Sequence, residues 1–362
     1  MNEAKQWIVM DPLDTLFFKG SEPMIAGEGH EVRSTFPPMP STLSGALCTA
    51  ILQQRGLKPQ DFTHRDGPDQ KITEKFPLLG RPTEQGYEPG YKLIGPLFLL
   101  NLDEAGHEWL FPAPAHWFGK MSDRPKDGYE VHVVSAVPFP DMARSLGLCG
   151  TVDEPIWIID PPKRDMESMS GYWTNQAGLK ALNTGSARLR LRISIECVKP
   201  DEPTIMGLGA LFANEIRVGI ALKDGTRRAR KGYLYTTSQV RLKANVRMVV
   251  GLSEELIPDY LDKEGILQLG GEQRIVRYQQ LARGPDRLEG KSPWMMSLSP
   301  FPYRDLRCLG WEGSPRVSGP LIRMGGWDMK KGFHKPMRAY LPAGTVVLAG
   351  EVATVPYGFI RI

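Results

Sequence analysis

The chain has few of the residues that support redox, disulfide or metal chemistry. Its 362 residues include only four cysteines, Cys48, Cys149, Cys197 and Cys308, which lie far apart and form no Cys-x-x-Cys motif. This spacing favours neither a disulfide framework nor a zinc site, so we expect buried free thiols in a reducing cytoplasm. The six histidines form no His-x-x-x-His pair. We therefore predict no metal and no other cofactor.

Long apolar runs and common catalytic motifs are also absent from the sequence. No segment approaches the roughly 18 apolar residues of a transmembrane helix, and the first residues show no signal-peptide pattern. We expect a cytoplasmic protein with no membrane partner. Neither a Gly-x-Ser-x-Gly elbow nor a Walker loop is present, so we predict that the protein is not an enzyme.

Turn-forming residues are abundant, with 31 prolines and 38 glycines, and they favour short elements joined by structured turns. The apolar pattern predicts a buried strand over residues 8–18, kinked at Pro12. A long turn-rich loop follows, and then a helix capped by Ser41 or Thr42. A predicted hairpin over residues 91–111 completes a strand, helix and hairpin order, which is the first half of a ferredoxin-like unit.

The rest of the chain is predicted to form mainly strands. Clean alternation over residues 186–198 predicts a half-buried strand whose open face carries Arg188, Arg190 and Arg192. A short acidic helix is predicted over residues 254–261. The remaining predicted strands cover residues 215–222, 231–242, 245–252, 274–281, 295–301 and 320–324, with a final hairpin over 343–355. Many strands with few helices favour an α+β fold over a parallel α/β sheet.

Positive charge is concentrated in one segment. Residues 216–247 contain nine basic residues opposed only by Asp224, a net of +8, whereas the whole chain carries +4. Four of the basic residues, Arg227, Arg228, Arg230 and Lys231, cluster at a predicted hairpin tip. This pattern is typical of a polyanion-binding surface. A basic hairpin that is merely solvated would have the same composition, and that alternative stays open.

Two glycine-rich segments could also approach phosphates. Gly270 and Gly271 precede a predicted strand that begins at Arg274, and glycines let backbone N–H groups come close to an anion. A tight turn would explain the pair equally well. The second segment combines glycines with one tryptophan and four cations, Trp327, Lys330, Lys331, Lys335 and Arg338. Stacking plus phosphate neutralisation is how single-stranded nucleic acid is held, although a structural loop with a core tryptophan fits too.

The loop over residues 19–40 carries Lys19, His30 and Arg33, which are compatible with a polyanion, among several glutamates. His30 could act as a general base on an RNA 2′-hydroxyl. The alternative function is therefore a metal-independent endoribonuclease. A surface histidine without a catalytic role explains His30 as well.

Several ordered motifs resemble a known family. They are DPLDTLFF and FPPMPSTLSGAL in the first 47 residues, IGPL followed by FPAPAHW, RVGIAL at 217–222, LGGEQR, and GGWDMKKGFHKPMR. Together they resemble RAMP-family proteins, and within that family the third subunit of type III-B CRISPR (Cmr) effector complexes.

The resemblance implies two fused ferredoxin-like (RRM-like) RAMP domains with long inserted loops, over residues 1–200 and 201–362. The second domain would carry the basic hairpin and the glycine-rich loops. It implies a non-catalytic RNA-binding and scaffold subunit in antiviral defence, which holds the 5′ repeat-derived tag of the CRISPR RNA. The expected protein partners are the large polymerase-like subunit and the backbone RAMP subunits, which this subunit would bridge.

Overall fold

The computed structural model describes most of the chain, and within the described residues β-strands dominate and α-helices are few. This composition confirms the α+β class. The described residues are 4–20, 31–58, 62, 70–83, 86–102, 106–121, 129–139, 155–159, 165–182, 185–226, 228–288, 290, 292–328, 333–350 and 354–362.

The elements are short, as the proline and glycine content predicts. The α-helices are α1 (Pro40–Gln54), α2 (Gln70–Lys75), α3 (Gln176–Ala181) and α4 (Asp305–Cys308), and single 3₁₀ turns lie at Pro77–Leu79, Ile195–Cys197 and Leu208–Ala210. The strands are β1 (Gln6–Pro12), β2 (Glu31–Arg33), β3 (Arg81–Thr83), β4 (Gly86–Glu88), β5 (Leu93–Asn101), β6 (His107–Pro112), β7 (Trp117–Met121), β8 (Tyr129–Ser135), β9 (Val137–Pro138), β10 (Ile156–Trp157), β11 (Glu167–Ser168), β12 (Trp173–Asn175), β13 (Ser186–Leu191), β14 (Thr204–Met206), β15 (Phe212–Leu222), β16 (Ala229–Leu242), β17 (Val246–Leu252), β18 (Glu264–Gln268), β19 (Ile275–Leu281), β20 (Trp294–Ser297), β21 (Phe301–Pro302), β22 (Arg316–Val317), β23 (Ile322–Met324), β24 (Trp327–Asp328), β25 (Phe333–His334), β26 (Arg338–Leu341), β27 (Val346–Leu348) and β28 (Phe359–Arg361).

A twelve-stranded sheet organises the fold, in the order β11-β7-β8-β13-β14-β12-β6-β5-β17-β1-β19-β18. The first strand therefore lies inside this sheet, antiparallel to both β17 and β19. All residues from Gln6 to Met10 are buried. The interior position of the strand explains this run, because a strand that is covered on both faces is mostly apolar on both. Smaller sheets include β15-β16-β2, β22-β27-β20-β28 and β21-β26-β23.

Helix α1 is confirmed, but its predicted cap is wrong. The N-cap is Met39, without a side-chain hydrogen bond, and Pro40 occupies the first turn. Proline suits this position because its fixed φ is helical and its missing N–H would have no partner there. The helix packs against β5 and β18 and buries Leu43, Leu47 and Ile51 completely.

Two predicted strands end earlier than their apolar patterns suggest. The first strand stops at Pro12, and the chain then crosses to another sheet, where Leu16 bridges Val240. The strand predicted to reach residue 198 stops at Leu191. Beyond it, Arg192 is buried in an ion pair with Glu202 instead of lying on an open face.

Three further predictions need correction. Residues 254–261 form turns instead of a helix, since Pro258 would interrupt a helical hydrogen-bond ladder. The hairpin predicted over residues 343–355 is not formed by β27, because β27 pairs with β20 on one edge and with β22 on the other. Cys48 is buried as predicted, whereas Cys197 and Cys308 are exposed, and Cys149 lies outside the described residues.

The finer architecture stays a prediction. Strands from both sides of the predicted boundary at residue 200 share the twelve-stranded sheet, because β1 lies beside β17 and β19. Burial of apolar side chains along this sheet joins them in one large core. The two ferredoxin-like domains and the boundary between them therefore stay predictions.

One carboxylate in the large sheet is placed where its charge is costly. Burial raises the pKa of Glu108 to about 7, although hydrogen bonds from the Asp201 backbone and the Asn175 side chain oppose the rise. The protonated form is thus favoured by the fold. Since the folded pKa lies above the ordinary value, the associated stability is present at acid pH and is lost as the pH rises through about 7.

We predict that Glu108→Gln raises the melting temperature at pH 8 and changes it little at pH 4.5. Glutamine keeps a hydrogen-bond acceptor at this position and removes the charge that burial penalises. Thermal unfolding at both pH values checks this. Glu130→Gln, the same substitution on strand β8 of the same sheet, serves as the control. A melting temperature that does not rise at pH 8 would contradict the prediction.

Candidate nucleic-acid interface

A three-stranded sheet carries the basic segment. Strands β15 and β16 form a long antiparallel hairpin, and β2 adds parallel to β16 so that Arg33 pairs in register with Ser238. Arg33 is exposed on this strand. The sheet therefore brings the loop around Lys19 and Arg33 beside the hairpin, two regions that sequence reasoning treated separately.

The hairpin tip is closed by a backbone hydrogen bond from the N–H of Lys223 to the carbonyl oxygen of Arg228, at 3.0 Å. Both residues are exposed. Arg230 and Lys231 follow in β16, while Arg227 lies outside the described residues. The predicted turn at the basic tip is thus present.

The base of the same hairpin is electrostatically neutralised. Asp14 lies 3.1 Å from Arg217, 3.0 Å from Arg241 and 3.0 Å from Arg274, measured between carboxylate oxygens and guanidinium nitrogens. Glu215 pairs with Arg217 at 2.9 Å and with Arg241 at 2.7 Å. Asp14 and Glu215 lie outside residues 216–247, so they were not counted in the net charge of +8. Their ion pairs reduce the excess positive charge at the hairpin base. The basic character of the segment is concentrated toward the tip.

The pKa shifts of the two acids follow from this geometry. A hydrogen bond from the Thr15 backbone, and then the guanidinium groups of Arg217 and Arg241, hold the pKa of Asp14 below its ordinary value. Hydrogen bonds from Arg241 and Arg217 likewise lower the pKa of Glu215. Both carboxylates are therefore charged at neutral pH, and their ion pairs persist.

Arg274, a predicted RNA contact, is engaged within the protein. Its side chain is 17% exposed and pairs with Asp14 and Glu272. It also donates a 2.8 Å hydrogen bond to Gln239. These contacts tie the turn before β19 to the hairpin, and a direct contact of Arg274 with RNA stays a prediction.

The Gly270-Gly271 turn has a structural explanation for at least one glycine. Gly270 has φ +82°, and a Cβ there would lie 2.4 Å from the carbonyl oxygen of Phe17. The N–H of Gly271 donates to the same oxygen at 2.7 Å. The tight turn that sequence reasoning left open therefore exists, and it places these glycines at the wall of a groove.

This groove has a volume of about 500 Å³ and is built from four separate parts of the chain. One wall is the start of α1, and the others come from the segment around Lys19, the Gly270 turn and the end of β23. Its lining includes Lys19, Thr35, Thr42, Gly45, Thr49, Gly270, Gly271 and Met324. Three predicted site residues, Lys19, Gly270 and Gly271, thus meet at one concave surface.

The rim of the groove continues into the basic glycine-rich loop. Met324 pairs in register with Arg338 across β23 and β26. Trp327 begins the small hairpin of β24 and β25, and the Lys335 N–H donates to the Gly326 carbonyl oxygen at 2.9 Å. Lys330, Lys331 and His30 lie outside the described residues. Of the loop's predicted cations, Arg338 is therefore the strand partner of the groove residue Met324, and Lys335 lies three residues before Arg338.

Sequence reasoning missed part of this lining. Thr42, Gly45 and Thr49 line the groove from α1 at positions that share one helix face. The signal was the spacing of these residues in an otherwise apolar helix. Asp14 was also missed, because its partners are more than 200 residues away in sequence.

Among the residues that the structure describes, no group of three or more His, Cys, Asp or Glu side chains could hold a metal ion. In the same part of the chain, no helix has the length and apolar character needed to cross a membrane.

Comparison with protein families decides the relationship. The family described as CRISPR-associated protein (Cas_Cmr3) matches residues 8–299. The chain belongs to this Cas_Cmr3 family. The match includes the opening strand, α1, the basic hairpin and the Gly270 turn, so the resemblance predicted from the ordered motifs is confirmed. A comparison with curated protein sequences gave no match.

One solved structure shows a related fold. A chain of the type III-B Cmr-beta complex bound to cognate target RNA is 18% identical, with a TM-score of 0.50. The alignment covers 94% of this chain and 86% of that chain. A second cryo-EM structure, with cognate target RNA and AMPPnP, has a chain with 17% identity, a TM-score of 0.49 and the same coverages. At such identity, the first of these two matches supports the fold alone.

We predict that Asp14→Asn lowers the free energy of unfolding by about 1 kcal/mol at pH 7, because it removes the charge shared by three arginines. Since the pKa of Asp14 is lowered, the stabilisation is present above its ordinary pKa and fades as the pH falls. Urea unfolding at pH 7 and pH 3.5 checks both points. Asp11→Asn, an exposed neighbour, is the control, and equal effects of the two variants would contradict the prediction.

Proposed function

We propose that this Cas_Cmr3-family protein is a non-catalytic RNA-binding and scaffold subunit of a type III-B CRISPR effector. It holds the 5′ repeat-derived tag of the CRISPR RNA and bridges the large polymerase-like subunit to the backbone RAMP subunits. The observation that carries the proposal is the convergence of Lys19, Gly270 and Gly271 on one groove, with Arg338 at its rim.

The groove suits a single strand of RNA. Its volume of about 500 Å³ falls within the range of ligand pockets in general. Threonine hydroxyls and a lysine in its lining match the ribose hydroxyls and phosphates of an RNA backbone. RNA recognition with sequence preference usually targets such unpaired segments, which a 5′ tag would provide.

The hairpin tip supplies the long-range electrostatic attraction. Lys223 and Arg228 are exposed there, and Arg230 and Lys231 continue along β16. Because the arginines at the base are paired with Asp14 and Glu215, the tip carries the cations that can neutralise phosphates. In this proposal the tip follows the RNA that leaves the groove.

The scaffold role is supported by the outer face of β15. Ile216, Val218, Ile220 and Leu222 alternate along this strand and are 64%, 64%, 53% and 52% exposed. A continuous exposed aliphatic face of this kind is typical of a protein contact. Together with the two ferredoxin-like RAMP domains that we propose for this fold, it fits a subunit with protein neighbours.

We predict that Arg227→Ala, Arg228→Ala and Arg230→Ala together weaken retention of CRISPR RNA and flatten its salt dependence. If the tag binds through roughly four to six phosphates, log affinity falls with log salt at about −0.7 per phosphate. The measurement is the affinity for labelled CRISPR RNA at salt concentrations from about 50 to about 300 mM, where the release of counterions changes the affinity strongly.

A charge-matched triple variant, Arg188→Ala, Arg283→Ala and Arg307→Ala, is the control, because these side chains are 73%, 83% and 83% exposed at other surfaces. Salt-independent binding by the parent protein would overturn the proposal, as would equal losses in both triple variants. Incubation of the protein with repeat RNA in EDTA tests the non-catalytic part, and we expect the RNA to remain intact.

A further inference from the structure

Helix α1 is buried on nearly every side. Its residues Leu43, Ala46, Leu47, Ala50 and Ile51 are at most 8% exposed. Over its first three turns the half-buried positions include Thr42, Gly45 and Thr49, and all three line the groove. Three partly accessible positions of this helix thus face the groove, whereas Ser41 and Gln53 are exposed outside it.

Gly45 has no role in packing among the residues that the structure describes. A methyl group added at this position would meet none of their atoms within 4 Å beyond the adjoining helix backbone. Its backbone is helical, so no left-handed conformation requires glycine either. Gly270, on the opposite wall of the groove, differs in this respect, since a Cβ there would lie 2.4 Å from the carbonyl oxygen of Phe17. Glycine in a helix interior lowers helix stability relative to alanine, and no neighbour in the described part of the chain requires glycine at this position.

The surroundings of Gly45 favour a sugar–phosphate backbone as the missing neighbour. The Thr49 hydroxyl donates to the Gly45 carbonyl oxygen at 2.9 Å, which leaves its oxygen as an acceptor at the groove. Lys19 and Thr42 add a cation and a second hydroxyl to the same lining. The aromatic residue of this lining, Phe18, is only 7% exposed, so a base has little ring surface on which to stack.

We propose that Gly45 is the point at which the sugar–phosphate backbone of the CRISPR RNA lies directly against α1, so that glycine sets how closely the RNA approaches. This inference rests on the proposed function. Glycine recurs where a backbone and a ligand must come close, because any side chain would hold them apart. The chain thus carries an unfavourable helix residue in order to keep space for its ligand.

If Gly45 contacts the RNA, replacing it with alanine should raise the stability of the free protein and lower its affinity for CRISPR RNA. Gly45→Ala should raise the melting temperature, by about 2 °C, because alanine favours the helix and meets no clash. The same variant should weaken binding of CRISPR RNA about tenfold, and Gly45→Met, which is larger but still favours a helix, about a hundredfold. Ser41→Ala, on an exposed position of α1 outside the groove lining, should leave binding unchanged.

The experiment combines thermal unfolding of the free full-length variants with titration of labelled CRISPR RNA transcribed from the host's own repeat. A Gly45→Ala protein that is more stable and binds with parental affinity overturns the inference, as does one that is less stable, since the protein alone would then require the glycine. Loss of RNA binding by the parent at every salt concentration would instead overturn the proposed function, so the two failures are distinguishable.

Discussion

The carboxylate of Asp14 binds three arginines that lie more than 200 residues away from it in sequence. Its partners are Arg217 on β15, Arg241 on β16 and Arg274 before β19. Asp14 itself follows β1, which lies inside the large sheet. One side chain therefore fixes the hairpin relative to the sheet, and through Arg274 it fixes the Gly270 turn as well. The groove and the hairpin tip depend on this junction for their relative positions.

The same junction explains how the interface uses positive charge. Ion pairs with Asp14 and Glu215 commit the arginines at the hairpin base to structure. At the tip, Lys223 and Arg228 are exposed and take no part in these ion pairs. Two arginines of the basic segment thus stabilise the hairpin base, while the exposed cations at the tip are open to a polyanion.

The sequence predicted the helices and hairpins better than it predicted the contacts between segments that are distant in sequence. Periodicity identified α1, the β5–β6 hairpin and the β15–β16 hairpin, because each is built from local contacts. It overextended the strand after residue 186, because the Arg192–Glu202 ion pair that turns the chain inward is invisible in an alternating pattern. It could not place Gly45 or Thr42 in a groove, since the opposite walls come from residues 268–271 and from Met324.

The interior position of β1 has a consequence for how the chain folds. Its two neighbours in the sheet are β17 and β19, and Trp7 pairs with both Gly251 and Leu281. During synthesis the first strand therefore emerges long before either partner, and contacts of such sequence separation form slowly. A fragment ending at residue 200 would leave β1 without a strand on either side. The amino-terminal strand must wait for β17 and β19, so we expect the large sheet to close late in the folding of this protein.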